Sequence, residues 1–102
     1  MDNVEEIYIN DLRPLAVESV LGFRKGDEIP LPRLHTVYLR STWRFFPGYR
    51  RRMEWVLQSV CEMRKERQHP ILKLELSLGY TMRDDDIADI KSHVQELIVI
   101  QM

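Results

Sequence analysis

A short apolar spacing that occurs four times constrains the fold of this chain more than any other feature of its sequence. The spacing has the form L-x-x-L-x-L, in which an aliphatic residue lies three positions before an alternating aliphatic pair. Its four occurrences are Val4, Ile7 and Ile9; Leu34, Val37 and Leu39; Ile71, Leu74 and Leu76; and Val94, Leu97 and Val99. An alternating pair is typical of a half-buried strand, and the preceding apolar residue indicates an entry turn packed under it. The sequence therefore predicts a repeated strand.

Helix-like segments separate the four strands and set the fold class. The predicted strands cover residues 4–10, 34–40, 71–78 and 96–100, and the predicted helices cover residues 15–21, 49–67 and 84–94. The order β-α-β-α-β-α-β implies a parallel sheet joined by right-handed crossovers. We predict one leucine-rich-repeat-like α/β module over residues 1–102, with a short parallel sheet on one face and helices on the other. Its repeat intervals of 30, 37 and 23 residues are irregular, and only the last lies within the roughly 20–29 residues usual for such repeats.

Composition excludes several classes of function. The 15 basic and 16 acidic side chains give a net charge of −1, so no overall field attracts nucleic acid or an acidic membrane. The single cysteine, Cys61, excludes an internal disulfide and lies on the inner stripe of the longest predicted helix. The acidic residues Asp84, Asp85 and Asp86 begin a predicted helix, where their negative charges interact favourably with the positive end of the helix dipole. We expect no metal, no cofactor, no catalytic residue and no membrane span, and a cytoplasmic or nuclear location.

The second predicted strand and its entry turn carry a family resemblance. Residues 31–40 read LPRLHTVYLR. This segment resembles the pattern LPxLxxLxLR in the leucine-rich-repeat region of fungal F-box proteins. The end of the chain is similar to the final repeat of that family. In order, it contains the helical segment 57–64, the turn His69-Pro70-Ile71 and the Leu-rich strand segment 72–76. The acidic helix start 84–87 follows, with Ile90 and Val94 before the closing strand. The resemblance covers residues 4–100.

The resemblance implies a substrate-recognition module of a ubiquitin-ligase adapter, which binds another protein without catalysis and forms part of, or is related to, a longer horseshoe. Two departures from the family pattern change this expectation. No F-box segment precedes the repeats in this sequence, so we expect no recruitment of the ligase scaffold in the family's manner. Arg83 stands where family members carry a Ser or Thr helix cap, which leaves Thr81 or Asp84 to cap the last helix.

The strand residues that alternate with the apolar pairs line the predicted concave face, away from the helices. The nine predicted partner-binding residues are Glu6, Tyr8, Asn10, Thr36, Tyr38, Arg40, Lys73, Glu75 and Ser77. Glu96, Ile98 and Ile100 are the corresponding residues of the last strand on the same face. Strands aligned in register place Tyr8, Tyr38, Glu75 and Ile98 in one row. Tyrosine and arginine are favoured at protein interfaces. The face is therefore a candidate protein-binding surface, and an ordinary solvated sheet face is the alternative interpretation.

An aromatic and arginine-rich segment provides a different candidate site. It contains Trp43, Arg44, Arg50, Arg51 and Arg52. Arginines contact phosphates and aromatic rings stack on bases, so the composition suits single-stranded RNA. A small RNA-binding domain that uses residues 40–52 is the alternative function. A solvated loop edge and an anionic protein partner are the other interpretations of this segment. Within it, Ser41 to Gly48 is predicted to form a loop, because Pro47-Gly48 breaks regular structure, and Trp43, Phe45 and Phe46 are predicted to fold back on the core.

The first and last predicted strands lie at the edges of the sheet. Main-chain donors and acceptors on the outer side of an edge strand are available to pair with another chain. The last strand also carries Leu97, Ile98, Val99 and Ile100, which are apolar on both faces. We expect self-association through residues 4–10 or 97–100.

Overall fold

The structure, a computed structural model, describes residues 4–10, 14–22, 31–41, 47–79 and 81–101. Within these residues, strands and helices alternate along the chain. They are β1 (Glu6–Asn10), α1 (Pro14–Leu21), β2 (Thr36–Ser41), α2 (Pro47–Glu66), β3 (Lys73–Leu78), α3 (Asp84–Lys91) and β4 (Glu96–Gln101). This order confirms the predicted β-α-β-α-β-α-β arrangement and the α/β class.

The strands form one sheet in the order β1-β2-β3-β4, and every neighbouring pair is parallel. The apolar strand residues meet the helices in a single core. Its members include Ile9, Val37, Leu39, Leu74, Leu76 and Leu78 from the strands, Val17 and Leu21 from α1, Met53, Val56, Leu57, Val60 and Cys61 from α2, and Ile90 from α3. Because these strand residues all lie on one side of the pleat, the helices cover that side. In the described residues, the other side of the sheet carries no helix.

The apolar residue that opens each repeated unit packs as the spacing predicts. Leu34, Ile71 and Val94 are buried, and Val4 is partly buried against the same core. Each lies just before its strand, at the turn by which the chain enters the sheet. Each of the four occurrences of the spacing therefore corresponds to one structural unit, an entry turn followed by a strand.

Helix α2 begins at Pro47, two residues before the predicted boundary. The expectation that the Pro47-Gly48 pair breaks regular structure is wrong, because the fixed φ of proline and its missing N–H suit the first turn of a helix. Ser41 belongs to β2 and is not part of the predicted loop. The prediction that Trp43, Phe45 and Phe46 fold back onto the core concerns residues outside the described part. Neither α2, which has 20 residues, nor any other helix of the described ranges is long and apolar enough to cross a membrane.

The C-terminus of α2 is closed by a residue in the left-handed region. The helix ends at Glu66, and Gln68 has φ 63°. The N–H of Gln68 donates to the carbonyl oxygen of Lys65 at 3.2 Å, and that of His69 to Arg64 at 2.9 Å. This pair of hydrogen bonds satisfies carbonyls of the last helical turn, so the chain leaves the helix before the following proline.

Helix α3 is shorter and less conventionally capped than predicted. It ends at Lys91, three residues before the predicted boundary at 94, and the N–H of Ser92 donates back into its last turn. Arg83 occupies the N-cap position and makes no side-chain capping hydrogen bond. Neither Thr81 nor Asp84 occupies the N-cap position, in contrast to the expectation. The acidic residues of the first turn stabilise the helix, because their negative charges interact favourably with the positive end of the helix dipole.

A buried arginine ties α2 to α1 and to the entry turn of β2. The side chain of Arg64 has 0% of its surface exposed. Its Nε donates to the carbonyl oxygen of Leu21, the last residue of α1, at 2.8 Å, and its Nη1 lies 3.4 Å from that of Leu31. Burial lowers the pKa of the guanidinium, and the nearby Cys61 thiol opposes this effect. A cation at the negative end of α1 satisfies a carbonyl that the helix itself leaves unpaired.

The sheet register can be tested by two adjacent substitutions in β3. Leu74 is fully buried, so Leu74→Asp places an unpaired carboxylate in the core at a cost of several kcal/mol, against a total stability of about 5–15 kcal/mol. Glu75 points to the other side of the sheet, so Glu75→Ala leaves the chain folded. Circular dichroism of both variants is the measurement, and equal loss of structure in the two would contradict the assigned register.

The buried arginine gives a second stability prediction. We expect Arg64→Met to lower the free energy of unfolding by about 1–3 kcal/mol, because the carbonyl of Leu21 loses its partner in the interior. Arg52→Met, on the exposed side of the same helix, should change it by no more than about 0.5 kcal/mol. Urea unfolding measures both. An Arg64→Met variant as stable as the wild type would mean that the hydrogen bonds only offset the cost of burying the charge.

Candidate functional site

The side of the sheet on which the described residues place no helix, here called the open face, carries three rows of side chains. The rows are Glu6, Thr36, Lys73 and Glu96; Tyr8, Tyr38, Glu75 and Ile98; and Asn10, Arg40, Ser77 and Ile100. Register pairs Tyr8 with Tyr38, Tyr38 with Glu75, and Glu75 with Ile98, so the predicted central row is confirmed. Parallel strands in equal register bring these residues together because side chains alternate with a period of two.

Two tyrosines of the central row stack on each other. The ring centroids of Tyr8 and Tyr38 are 4.5 Å apart, and their planes differ by 9°. This separation matches the spacing of about 4.8 Å between neighbouring strands, so the two rings stand face to face across the ladder. Tyr8 is 74% exposed, whereas Tyr38 is partly buried. The open face therefore presents an ordered aromatic pair to solvent.

A lysine on β3 lies next to the aromatic pair and also contacts β4. The Nζ of Lys73 lies 5.6 Å from the centroid of the Tyr38 ring, within the range of a cation–π contact. The same Nζ lies 4.0 Å from a carboxylate oxygen of Glu96. Glu96 is exposed and Lys73 is partly exposed, so this ion pair contributes little to stability. Its effect is to hold positive charge beside the ring of Tyr38.

A shallow depression of about 280 Å³ lies on the open face toward the carboxyl ends of β1, β2 and β3. Its lining includes Tyr8, Asn10, Tyr38, Arg40, Glu75 and Ser77. Six of the nine predicted partner-binding residues therefore border one feature. The lining combines aromatic surface with a cation, a carboxylate, an amide and a hydroxyl, which suits a polypeptide surface carrying both apolar and charged groups.

One predicted contact residue is not available at the surface. Thr36 lies on the open face by register, but it is buried, and its hydroxyl oxygen is 2.7 Å from Nδ1 of His35. The prediction that Thr36 contacts a partner is therefore corrected. Glu6, by contrast, is exposed at the same end of the sheet.

The alternative arginine patch is only partly described. Trp43 and Arg44 lie outside the described residues, and Arg50 is placed in α2 without a described side chain. Arg51 and Arg52 are exposed in the second turn of that helix. Two exposed arginines at this position are compatible with an anionic ligand, but no described contact brings them to the open face.

Asp86 of the acidic helix start and the thiol of Cys61 both have structural surroundings. Asp86, in the acidic first turn of α3, accepts a hydrogen bond of 2.7 Å from Nε2 of Gln58 and so joins α3 to α2. Across the described ranges, no group of three His, Cys, Asp or Glu side chains is arranged to hold a metal ion. Burial raises the pKa of the Cys61 thiol to about 12, while Arg64 lowers it and Asp89 raises it. A buried thiol with such a pKa is a poor nucleophile at neutral pH.

Trp55 is an exposed aromatic residue that the sequence prediction did not consider. It is 58% exposed and borders a depression of about 240 Å³ between α1 and α2, with Glu18, Ser59 and Met63. The sequence does contain a signal, because Trp55 lies off the apolar stripe that runs through Met53 and Val56. A large aromatic ring on the polar side of an amphipathic helix indicates a surface role.

Comparisons with known proteins give this chain no relative. No protein-family model matches the sequence, and neither curated proteins nor solved structures gave a significant match. The functional argument therefore rests on the residues of the open face.

The stacked tyrosines should be energetically coupled. In a double-mutant cycle of Tyr8→Ala and Tyr38→Ala, we expect a coupling of about 0.5–1.5 kcal/mol in the free energy of unfolding, because each single change already removes the ring contact. The control cycle pairs Tyr8→Ala with Ile98→Ala, at opposite ends of the same row, and should give additive changes. Coupling no larger than in the control would show that the stack does not form in solution.

Proposed function

We propose that this chain is a protein-interaction module that binds another protein through its open face and catalyses no reaction. The observation that carries the proposal is the stacked pair of Tyr8 and Tyr38. Tyrosine gives a large contact area with only two side-chain torsions to fix, and stacking already restricts them. An exposed pair of this kind loses little further entropy when a partner covers it.

The charges of the open face favour a protein over a polyanion. Arg40 and Lys73 are interspersed with Glu6, Glu75 and Glu96. Nucleic-acid surfaces concentrate positive charge along a phosphate track, whereas carboxylates in the same rows repel phosphates. Mixed charge around aromatic residues is the composition of a protein interface, where charge pairs select one partner and its orientation.

Within this class, we propose a leucine-rich-repeat-like module of the substrate-recognition type found in F-box ubiquitin-ligase adapters. The resemblance of residues 31–40 and of the final repeat supports this assignment. The one-sided arrangement of helices, with the strands in sequential order, supports it as well, since repeat proteins of this kind stack such units and bind partners on a concave surface. In this proposal, the open face recognises the substrate protein.

The alternative is a small RNA-binding domain that uses residues 40–52. The exposed side chains of Arg51 and Arg52 support it, because arginine side chains can contact the phosphates of a nucleic acid. The two functions differ in salt dependence. Binding to RNA falls steeply as salt rises, whereas binding through aromatic contacts does so much less.

The test of the proposed function compares two matched double variants. Tyr38→Ala with Arg40→Ala removes an aromatic ring and an arginine from the open face, and should weaken capture of the partner at least about tenfold. The melting temperature should fall by only a few degrees, since Arg40 is exposed and Tyr38 is only partly buried. Trp55→Ala with Arg51→Ala removes the same residue types from the exposed surface of α2, and should leave capture unchanged.

Quantitative mass spectrometry of proteins captured from a lysate measures this difference, and titration with generic RNA at two salt concentrations accompanies it. Proteins lost with the open-face variant and retained with the α2 variant support the proposal. Loss with the α2 variant alone would place the interface on the helical side. Tight, steeply salt-dependent RNA binding that the Arg51 change weakens would favour the alternative function.

A further inference from the structure

The free edge of β1 has an ordered set of main-chain donors and acceptors. The N–H of Thr36 donates to the carbonyl oxygen of Glu5 at 3.2 Å, so the main-chain groups of Glu5, and of Ile7 and Ile9 in step with it, face β2. In a parallel strand, alternate residues direct their main-chain groups to opposite sides. The groups of Glu6, Tyr8 and Asn10 therefore face away from β2, where the described part of the chain provides no neighbouring strand.

We propose that a second copy of this chain pairs with β1 in antiparallel orientation, with the two Tyr8 residues opposite each other. Tyr8 is the central residue of Glu6–Asn10, so this register uses the whole strand. It places Glu6 opposite Asn10 of the second copy, and Asn10 opposite Glu6 of the second copy. Each outward-facing residue then donates one main-chain hydrogen bond and accepts one, as in the hydrogen-bonded pairs of an antiparallel ladder.

The aromatic stack of the open face continues across this two-fold axis. The ring of Tyr8 already stacks on Tyr38 at 4.5 Å, and its other face points toward the free edge. Hydrogen-bonded partners in an antiparallel pair have Cα atoms about 5.5 Å apart, which brings the two Tyr8 rings within stacking range. The dimer therefore contains a row of four tyrosines. On the helical side, Ile7 lies opposite Ile9 of the second copy.

Charge complementarity favours a second copy over an unrelated strand. Arg40 is the β2 neighbour of Asn10, and Asn10 lies opposite Glu6 of the second copy. A long arginine side chain beside that position can reach the Glu6 carboxylate. The two-fold axis repeats this pair on the other side of the tyrosines. The surface is therefore self-complementary, because Arg40 of each copy lies near Glu6 of the other.

The opposite edge of the sheet is the competing site for self-association. In β4, Val99 is 38% exposed and Ile100 is 42% exposed. These side chains favour apolar contact in general, but they provide no ring stack or charge pair that selects one partner and one register. The inference about β1 does not rest on the proposed function, because it concerns the mass of the assembly and not the capture of another protein.

Sedimentation equilibrium of the full chain over a wide concentration range tests the proposed dimer. Wild type should dimerise, and Tyr8→Lys should raise the dissociation constant about tenfold or more, because two like charges meet where two rings stacked. Ile100→Lys is the matched control on the other edge strand and the same face, and should leave the dimer intact. A monomeric wild type, or dissociation by Ile100→Lys, would overturn the proposal.

A charge exchange tests the register and does not depend on the Tyr8 variant. Glu6→Arg alone and Arg40→Glu alone should each weaken the dimer. Each change gives positions 6 and 40, which face each other between the two copies, the same charge. The double variant should restore it. Within one chain these residues lie at opposite ends of adjacent strands, so restoration requires the second copy. Single variants that leave the dimer unchanged, or a double variant that fails to restore it, would overturn the register. Circular dichroism establishes that each variant is folded.

Discussion

Equal register across four parallel strands is the constraint on which the rest of this structure depends. The alternation of side chains sends one set of strand residues into the core and the other set to the open face. Since the strands are aligned residue by residue, the polar set forms straight rows, and Tyr8 meets Tyr38 at stacking distance. A shift of one residue in any strand would bury its polar side chains and expose the apolar side chains that now lie in the core. The apolar core and the candidate interface are therefore fixed by the same alignment.

Arg64 provides a specific polar link inside the helical layer. Its guanidinium ties the end of α1 and the entry turn of β2 to the body of α2. Apolar contacts alone are tolerant of small shifts between helices, whereas directional hydrogen bonds to named carbonyls are not. The cost of burying the charge is thus offset by bonds that are available only in one arrangement of these elements.

The elements and the central row could be predicted from sequence because both follow from local periodicity. Strand alternation is visible in Ile7 and Ile9 or in Leu74 and Leu76, and equal spacing from the entry residue gives the register. The burial of Thr36 and Arg64 could not be predicted, because their partners, His35 for one and Leu21 and Leu31 for the other, are brought into place by the tertiary fold. Helix boundaries at Pro47 and Lys91 differed for a related reason, since hydrogen bonds of the terminal turns decide them. The F-box assignment stays a proposal.

The shortness of α3 has a consequence for how the molecule opens. Its 8 residues span about 12 Å, whereas the 6 residues of β4 span about 20 Å, so the helix cannot cover the whole strand, and Val99 remains exposed on the helical side. The 20 residues of α2 span about 30 Å over the central strands. Local unfolding is favoured where less apolar surface is shielded, so we expect the end of β4 to open more readily than β2 and β3, which lie at the centre of the sheet.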